Sequence, residues 1–445
     1  MKTLLIFTLI FLGVGSLSAQ NPIIHDQFTA DPTARVFGDK IYLFPSHDIP
    51  APAEYPRKDW FCMADYHVFS SDNFTDWKDH GVIVSQTAVP WANPKAYSMW
   101  APDCISRNGK YYFYFPAAPD STYGRGFAIG VAIADKPEGP YVPQPKPIAK
   151  VRGIDPNVFI DKDGQAYLYW SGGNIYGAKL NENMLELDSE PVILKDLPTK
   201  GLKEGPFVFE KNGVYYLTYP HVENKIERLE YAIGDNPLGP FKITGVIMDE
   251  SSTGCWTNHH SFLNLKNQWY LFYHHNDYSP RFDKNRSTRI DSLFFNADGT
   301  IRKVIPTLRG VGLTDASKPV QIDRYSSVCE SGASIAFLDT LNKFAGWKTV
   351  FSAKGAWIQY NAVDFGSKSK KYKSIKVRVA SENGGVLQIR LDNADGKLIS
   401  EVTVLKGKEM NEVKARLTSS QQGVKNLVVV SKESNPVEID WISFE

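Results

Sequence analysis

The amino-acid sequence predicts an all-β protein in which a five-bladed β-propeller is followed by a β-sandwich (jelly-roll) domain. One observation is a hairpin pattern that recurs five times, at intervals of 49 to 70 residues. Another is that no long amphipathic helical period separates the repeats, which disfavours an α/β barrel. The third is a run of short alternating strands after residue 325. Repeats of about 50 residues with roughly four strands each are typical of propeller blades.

Each repeat contains a tight turn followed by an alternating aromatic strand. Three of the turns are Asn-Gly or Asp-Gly, which between β-rich runs are strong hairpin signals. The stretch at residues 132–141 recurs at residues 232–241, two units later, and supports the same period. The central tyrosines of the five hairpins are Tyr42, Tyr112, Tyr167, Tyr216 and Tyr270.

The first nineteen residues predict a secretory signal peptide that is cleaved near Ala19. Lys2 precedes an apolar run at residues 4–12, and small residues follow the run. The run is too short to span a membrane, and no later segment of about 20 apolar residues occurs. No cysteine stands at the cleavage site to carry a lipid anchor. We therefore expect a secreted or periplasmic protein without a membrane span.

The charge of the chain is balanced, with 50 Lys and Arg against 49 Asp and Glu and a formal net charge of +1. Such a chain has no overall field to attract a polyanion, so nucleic acid is not expected as a partner. The 10 Trp, 22 Tyr and 25 Phe fit a β-rich fold and surfaces that stack on flat apolar ligand faces.

The four cysteines do not form a recognisable disulfide or zinc framework. An exported chain permits disulfides and three pairings exist, but buried free thiols fit the spacing equally well. No Cys-x-x-Cys or Cys/His spacing occurs, so no structural zinc site is expected. The cysteines are Cys62, Cys104, Cys255 and Cys329.

A short polar element precedes each hairpin tyrosine by ten to twelve residues and is expected to open the innermost strand of its blade. Inner strands converge around a propeller axis, so equivalent positions in different blades meet at one end of the channel. Three of these positions are carboxylates: Asp31 stands 11 residues before its tyrosine, and Asp155 and Glu204 stand 12 before theirs. Taken singly, each carboxylate is compatible with a turn cap or a solvated strand start.

Three carboxylates on one axis indicate a catalytic or metal-binding role rather than a structural one. Clustered carboxylates repel one another, which raises the pKa of at least one and leaves another ionised. That difference supplies an acid and a base at neutral pH. A metal site is the competing interpretation, because hard cations also recruit carboxylates.

The segments that carry these residues resemble the glycoside hydrolases of family 43, a five-bladed propeller family of arabinofuranosidases and β-xylosidases. The segments follow one another in the order seen in that family and cover roughly residues 21–312. Their combination is highly specific, whereas any one of them alone is a weak signal. The matching stretches are residues 30–32, 42–48, 99–103, 153–157, 203–206, 289–291 and 298–299.

The resemblance implies a role for each axial carboxylate. Asp31 would be the general base that activates water, Glu204 the general acid that protonates the leaving oxygen, and Asp155 the carboxylate that orients Glu204 and raises its pKa. Glycosidic cleavage needs one protonated and one ionised carboxyl group, whichever residues supply them. Asp31 and Glu204 belong to non-adjacent blades, so room for a water between them predicts an inverting mechanism.

The resemblance also implies three substrate-binding residues: Trp100 against the sugar, His259 under it, and Arg289 in contact with it. The plain alternatives are a core aromatic, a structural histidine and a solvated strand residue. No cofactor is required for the reaction, and a structural calcium near His259 is the one metal that the resemblance allows.

We therefore expect an exported, inverting exo-glycosidase that removes terminal α-L-arabinofuranosyl residues from plant oligosaccharides and polysaccharides. The proline- and aromatic-rich segment 49–65 predicts a pocket wall, and hence exo attack. The first alternative is a β-xylosidase, another furanosidase or an endo-arabinanase of the same family. A retaining, invertase-like propeller is disfavoured because Ile154 precedes Asp155 and Gly205 follows Glu204. A non-catalytic carbohydrate-binding propeller is the last alternative, and the desolvation cost of three axial carboxylates argues against it.

The sequence predicts a propeller over residues 20–313, a linker over residues 314–325 and a β-sandwich over residues 326–445. The sandwich resembles a family 6 carbohydrate-binding module. Such modules hold a sugar between two loop aromatics, and the segment at 406–413, where one of them is usual, has none. Trp347 is either a remaining sugar platform or a packing residue at the domain interface. We expect the sandwich to contribute more to stability than to affinity for a small substrate.

Overall fold

The computed structural model describes residues 20–367 and 369–445. Within these ranges the protein consists of β-strands, turns and one short 3₁₀ helix at Lys343–Ala345. No helix in the described part of the chain is long and apolar enough to cross a membrane. The predicted signal peptide falls on residues 1–19 and lies outside the described residues.

Five antiparallel sheets form the propeller, and the strands of each sheet pair in chain order. Blade one contains β1 (Ala30–Phe37), β2 (Lys40–Asp48), β3 (Met63–Ser71) and β4 (Lys78–Ser85), and blade two contains β5 (Asp103–Arg107), β6 (Lys110–Ala117), β7 (Ala128–Ala134) and β8 (Val142–Pro143). Blade three contains β9 (Ile154–Ile160), β10 (Ala166–Ser171), β11 (Ile175–Lys179) and β12 (Val192–Ile193). Blade four contains β13 (Phe207–Lys211), β14 (Val214–Val222), β15 (Glu227–Gly234) and β16 (Lys242–Met248), and blade five contains β17 (His260–Leu265), β18 (Gln268–His275) and β19 (Ser287–Leu293).

The first strands of the blades surround a central axis. Each contacts the first strand of the next blade in the order β1, β5, β9, β13 and β17, and β17 contacts β1 again. The residues that open these strands therefore meet at one end of the ring. The predicted fold class, a five-bladed propeller followed by a sandwich, is confirmed.

The chain segment before β1 closes the ring by running beside the third strand of blade five. Ile23 and Thr29 donate backbone hydrogen bonds to the carbonyls of Thr288 and Arg286, over 2.9 and 3.0 Å. The side chain of Asn21 pairs with both backbone groups of Ile290, accepting from its N–H over 2.8 Å and donating to its carbonyl over 3.0 Å. The first and last parts of the propeller are joined in this way.

Side chains alternate between the two faces of each strand, so a blade packs against its neighbouring blades on both faces. In β2, Ile41 and Leu43 pack towards blade five, whereas Tyr42 and Phe44 pack towards blade two. The hairpin tyrosines that revealed the repeat are therefore part of the packing between blades. Aromatic contacts between blades continue around much of the ring, as between Phe37 and Tyr111.

Two sheets form the C-terminal sandwich around a core of Val, Ile, Leu, Phe and Tyr side chains. One sheet has the order β20-β25-β30-β27-β28 with β22 beside β25, and the other has the order β23-β24-β31-β26-β29 with β21 beside β31. The strands are β20 (Thr314–Asp315), β21 (Val320–Gln321), β22 (Ser327–Val328), β23 (Ala333–Phe337), β24 (Trp347–Phe351), β25 (Trp357–Asp364), β26 (Ser374–Ser381), β27 (Gly385–Leu391), β28 (Leu398–Val404), β29 (Gly407–Arg416), β30 (Val424–Ser431) and β31 (Val437–Phe444).

Residues 314–325, predicted to be a linker, instead contribute two short strands to the sandwich. Thr314 pairs in parallel with Val363, and Val320 pairs antiparallel with Ile442. Both Thr314 and Val320 are buried, so the segment is held by the same core as the strands that follow it. Proline and small polar residues suggested a linker, but the apolar residues between them decide the packing.

The two domains are packed against each other through an aromatic and arginine cluster. The ring of Trp347 stacks on Tyr278 of the propeller with centroids 5.0 Å apart, and the guanidinium carbon of Arg324 lies 3.8 Å from the Trp347 centroid. Arg324 also donates hydrogen bonds to the carbonyl of Asn21 and to the Tyr278 hydroxyl. Trp347 is 7% exposed, so it is a packing residue rather than a platform for a sugar.

Candidate active site

A pocket lies at the axial end where the inner strands begin. All five blades contribute to it, because Asp31, Ala101, Asp155, Glu204 and His259 each stand at or just before the first strand of a blade. The three predicted catalytic carboxylates are thus brought together in one pocket. The left-handed backbone of Asp31 and Asp155, with φ of 46° and 57°, is a conformation that costs free energy and is common at functional sites.

Asp31 is buried and held in the ionised form. Arg286 donates to its two carboxylate oxygens over 2.7 and 3.2 Å, and the Ser46 hydroxyl donates over 2.7 Å. Burial alone would raise the pKa of Asp31, but the Arg286 guanidinium and the hydrogen bond from Ser46 lower the pKa to about 2. The carboxylate is therefore available as a base at any pH near neutrality.

The orientation of Asp31 is also fixed through its backbone. Its N–H donates to Nδ1 of His274 over 3.0 Å, so this nitrogen is an acceptor and the proton of the imidazole stands on Nε2. Nε2 in turn lies 3.1 Å from the carbonyl of Thr257, to which it donates. Burial lowers the pKa of His274 well below its usual value, which keeps the ring neutral.

Arg286 links Asp31 to a second buried carboxylate, Asp48. The Nε and Nη2 groups of Arg286 donate to the two oxygens of Asp48 over 2.9 and 3.0 Å, and its backbone N–H donates over 2.8 Å. Arg286 is 2% exposed, and its charge is balanced by this pair of carboxylates. Arg286 is not among the residues predicted from the sequence, because it precedes β19 and lies outside the repeated polar elements.

Asp155 and Glu204 have raised pKa values, in contrast to Asp31. Burial raises the pKa of Asp155 well above its usual value, and the charges of Glu204 and Asp31 raise it further. Burial likewise raises the pKa of Glu204, and the neighbouring carboxyl group of Glu227 adds to the effect. An oxygen of Asp155 accepts the N–H of Gly205 over 3.0 Å, which positions the backbone beside Glu204.

Glu227, at the start of β15, is a fourth carboxyl group in the pocket that was not predicted from the sequence. It is 1% exposed, and its Oε2 accepts the N–H of Asn258 over 2.7 Å. Glu204 is its neighbour in the pocket, and burial raises the pKa of Glu227 as well. Two adjacent carboxyl groups of this kind hold a proton between them, because they cannot both ionise cheaply. No repeat pattern marks Glu227, since it lies in the third strand of its blade.

Aromatic side chains form the wall of the pocket. Trp60 and Phe61 come from the segment between β2 and β3, which was predicted to be a pocket wall, and the Phe61 ring lies 6.0 Å from Trp100 and 6.3 Å from Trp256. Trp100 lines the pocket as predicted, and its indole N–H is buried without a hydrogen-bond partner. Its ring is therefore placed to stack on a ligand.

His259 lies in the pocket, whereas Arg289 does not. Burial lowers the pKa of His259 to about 4, so the ring is neutral near pH 7. Arg289 forms an ion pair with Asp277 beside the domain interface instead, which contradicts its predicted contact with substrate. Residues 286 and 289 are three positions apart, and in an extended chain that spacing places them on opposite faces.

The four cysteines are free thiols in the structure, with three of them buried. Burial raises the pKa of Cys62, Cys104 and Cys255. The alternative of buried free thiols, left open by the spacing, therefore applies to these three residues.

Comparison with known proteins agrees with this geometry. Residues 19–301 match the family described as glycosyl hydrolases family 43. The chain belongs to that family. Residues 330–445 match the carbohydrate binding module of family 6.

Individual relatives cover the propeller or the whole chain. A xylosidase/arabinosidase of Humicola insolens is 35% identical over 329 residues, which cover 63% of this chain and 98% of the relative. A crystal structure of a family 43 β-xylosidase/α-arabinofuranosidase from a compost microbial metagenome, in complex with xylotriose and calcium-free, is 34% identical with a TM-score of 0.59 and covers 65% of this chain and 98% of its own. A family 43 arabinoxylan arabinofuranohydrolase from Bacillus subtilis, in complex with cellotetraose, is 26% identical with a TM-score of 0.55 and covers 96% of this chain and 99% of its own.

The family 43 chain is therefore a glycoside hydrolase that inverts configuration, as is general in this family, and its substrate is a carbohydrate. Hydrolysis of this kind is carried out by carboxyl groups and needs no cofactor. The alternatives of an invertase-like enzyme and of a non-catalytic propeller are set aside by the family assignment.

Proposed function

We propose that the enzyme removes terminal α-L-arabinofuranosyl residues from plant oligosaccharides and polysaccharides, with Asp31 as general base and Glu204 as general acid. One observation carries the assignment of roles. Within one pocket Arg286 holds Asp31 ionised, while burial and Glu227 hold Glu204 protonated. An ionised and a protonated carboxyl group are the two groups that single-step glycoside hydrolysis requires.

The proposed reaction follows from these protonation states. Asp31 accepts a proton from a water molecule while the water oxygen attacks the anomeric carbon. Glu204 gives its proton to the glycosidic oxygen as the bond to the leaving group breaks. Asp155 positions the backbone beside Glu204 through the N–H of Gly205. The sugar leaves with inverted configuration, and exchange of protons with solvent restores both carboxyl groups.

The shape of the pocket supports exo attack. Trp60, Phe61, Trp100 and Trp256 line the pocket beside the carboxyl groups, and such an aromatic wall suits a terminal sugar. Release of a single monosaccharide from the first time point of digestion of a linear oligosaccharide is the expected result. Early release of oligosaccharides would contradict exo action.

A β-D-xylosyl residue is the second candidate for the terminal sugar. Relatives named xylosidase/arabinosidase and β-xylosidase favour it. Both sugars are pentoses with a 1,2-trans glycosidic bond, so one set of carboxyl groups fits either. The test is the ratio of kcat/KM on nitrophenyl α-L-arabinofuranoside, β-D-xyloside and β-D-galactofuranoside. A higher value on the xyloside than on the arabinofuranoside would replace the first candidate by the second.

We also propose that the protein is exported, on the evidence of the apolar run after Lys2 and the small residues that end near Ala19. N-terminal sequencing of the protein recovered from the periplasm or medium is expected to begin near Gln20. Retention of Met1 in the recovered protein would contradict export by this signal.

Among the described residues, the surroundings of His259 offer few protein ligands for calcium, the one metal that the resemblance allows there. Calcium takes six to eight oxygen ligands. Among the described residues, no group of three His, Cys, Asp or Glu ligand atoms converges at His259. The nearest neighbours in the chain, Asn258 and His260, offer one amide oxygen and one ring nitrogen without hydrogen-bond partners. No step of the proposed reaction depends on calcium.

A further inference from the structure

Two histidines and an aspartate converge on blade one, outside the active-site pocket. Nδ1 of His47 lies 2.7 Å from a carboxylate oxygen of Asp65, and Nε2 of His67 lies 3.9 Å from the same oxygen. Within residues 20–367 and 369–445, these three form the one group of His, Cys, Asp and Glu whose ligand atoms all lie within 4.8 Å of one another. Their side chains are 15 to 22% exposed, so a small ion can reach them.

Strand geometry brings the three side chains to one face of the sheet. Asp65 and His67 are two residues apart on β3, so they point the same way. His47 lies on the neighbouring strand β2, with its side chain on the face opposite to those of Ser46 and Asp48. The cluster is therefore separated by the sheet from the Arg286 network, and it cannot be a part of that network.

A further carboxylate orients His67 towards the other two residues. Nδ1 of His67 lies 2.9 Å from an oxygen of Asp79, which leaves Nε2 directed at Asp65. Asp79 is itself fixed, because it accepts the N–H of Gly81 over 2.7 Å and the side-chain amide of Gln27 over 3.1 Å. Histidines that bind metals usually donate their second ring N–H to a carboxylate in this way.

We propose that His47, Asp65 and His67 bind a divalent first-row transition ion of the zinc class, with Asp79 as the partner that orients His67. Two imidazole nitrogens and one carboxylate oxygen suit such ions better than calcium or magnesium. Bonds of about 2.0–2.1 Å in a tetrahedral arrangement separate the ligand atoms by about 3.3 Å. The distances of 2.7 and 3.9 Å bracket that value, so small side-chain rotations complete the site. A water molecule takes the fourth position.

The position of the site predicts its effect on the enzyme. His47 is the penultimate residue of β2 and Asp65 is the third residue of β3, so the two stand at the two ends of the segment 49–62. That segment carries Phe61, whose ring lies 4.7 Å from the guanidinium carbon of Arg286. An ion bound to both His47 and Asp65 therefore holds the two ends of the segment 49–62 close together.

The competing explanation is a cluster of ion pairs without a metal, in which a protonated His67 stands between Asp65 and Asp79. The ligands of this site are His and Asp brought together by two strands, so the absence of Cys/His zinc spacing in the sequence does not exclude it. Direct measurement of ion binding separates the two explanations, and the full chain is suitable for it.

The experiment is titration calorimetry of Zn²⁺ into the full chain after treatment with a chelator. We expect one site per chain, and a rise in unfolding temperature on addition of Zn²⁺. His47→Gln and His67→Gln should each weaken binding by about 10- to 100-fold or abolish it, and Asp79→Asn should weaken it by about tenfold or more. His80→Gln, which changes a histidine of β4 in the same blade, is the matched control and should bind normally.

Each other outcome would overturn the proposal. If no zinc binds, or if His47→Gln and His67→Gln bind as tightly as the unaltered chain, the cluster is an ion-pair network. If Glu204→Gln abolishes binding while the histidine variants do not, the zinc lies in the active-site pocket instead. Should a glutamine variant unfold, Asp79→Asn distinguishes the same two explanations, because it leaves all three ligands in place.

Discussion

At the scale of single residues, different neighbours give two carboxyl groups of the pocket different pKa values. Asp31 and Glu204 have the same functional group and both line the cavity, yet Arg286 lies against the first and Glu227 against the second. A cation keeps one ionised, and a second carboxyl group keeps the other protonated. The roles of base and acid therefore depend on two residues that the repeat pattern does not mark.

Removal of the acid or the base should lower turnover by about 10²- to 10⁴-fold, the usual contribution of general acid–base catalysis. Asp31→Ala should show this loss on every substrate. Glu204→Ala should lose much less on dinitrophenyl glycosides than on natural ones, because a good leaving group needs no proton. Steady-state kinetics on both kinds of substrate check this, with the exposed Asp188→Ala as control. Near-normal activity of Asp31→Ala would remove its assignment as the base.

Replacement of Arg286 should shift the acidic limb of the pH profile upwards. The Arg286 charge lowers the pKa of Asp31 to about 2, so Arg286→Gln raises that pKa. A base with a higher pKa is protonated at higher pH, and activity is then lost earlier on acidification. The pH dependence of kcat/KM measures this in the free enzyme. Arg286→Lys keeps a positive charge and should shift the limb less; an unmoved limb in both variants would contradict this role of Arg286.

Replacement of Glu227 should shift the alkaline limb downwards. Glu227→Gln removes the neighbouring carboxyl group that, after burial, does most to raise the pKa of Glu204. Glu204 then loses its proton at lower pH, and the acid is no longer available there. Asp155→Asn is expected to act in the same direction, because Asp155 also interacts with Glu204. If Glu227→Gln lowers the rate at all pH values without moving the limb, its role is structural only.

At the scale of elements, the strand pairs of each blade could be predicted because they repeat. The spacing of five tyrosines located the hairpins, and the polar residues 11 or 12 positions before three of them located Asp31, Asp155 and Glu204. Features that occur once in the ring could not be found this way. Arg286 lies just before β19, in a stretch that the other blades do not repeat. The arginine predicted from the sequence, Arg289, lies on the opposite face of the extended chain and pairs with Asp277.

One buried side chain contributes to the closure of the ring. Asn21 is fully buried and satisfies both backbone groups of Ile290. Asn21→Ala leaves a buried N–H and a buried carbonyl without partners, at a cost of about 1–3 kcal/mol for each. The melting temperature should fall clearly, whereas Asn224→Ala, at an exposed turn, should leave it unchanged. An unaltered melting temperature of Asn21→Ala would show that the closure does not depend on this residue.

At the scale of the whole molecule, the sandwich supports the propeller through the domain interface. Arg324 reaches the carbonyl of Asn21 in the segment that closes the ring, and Trp347 covers Tyr278 of blade five. The sequence predicted two domains and offered packing as one role of Trp347. It could not show that a single arginine links the interface to the ring closure, since 303 residues separate Arg324 from Asn21 in the chain.

Deletion of the residues after Pro319 should therefore change stability more than affinity for a small substrate. The deletion removes Arg324 and Trp347 and exposes Tyr278, so thermal unfolding should begin at a lower temperature. The KM on a nitrophenyl glycoside should stay close to that of the full chain. Trp347→Ala is the milder variant and should lower the melting temperature in the same direction. A large loss of polysaccharide binding, with the propeller still folded, would instead assign a binding role to the sandwich.

The bond between Asp31 and Arg286 joins residues that are 255 positions apart. During synthesis on a ribosome, Asp31 and Asp48 emerge long before Arg286, so the first blade carries both carboxyl groups without the guanidinium that pairs with them until blade five arrives. A chain that stops before residue 286 can complete four blades and still lacks an ordered base. A product that ends before residue 286 therefore contains Asp31, Asp155 and Glu204 only without the guanidinium that holds Asp31 ionised.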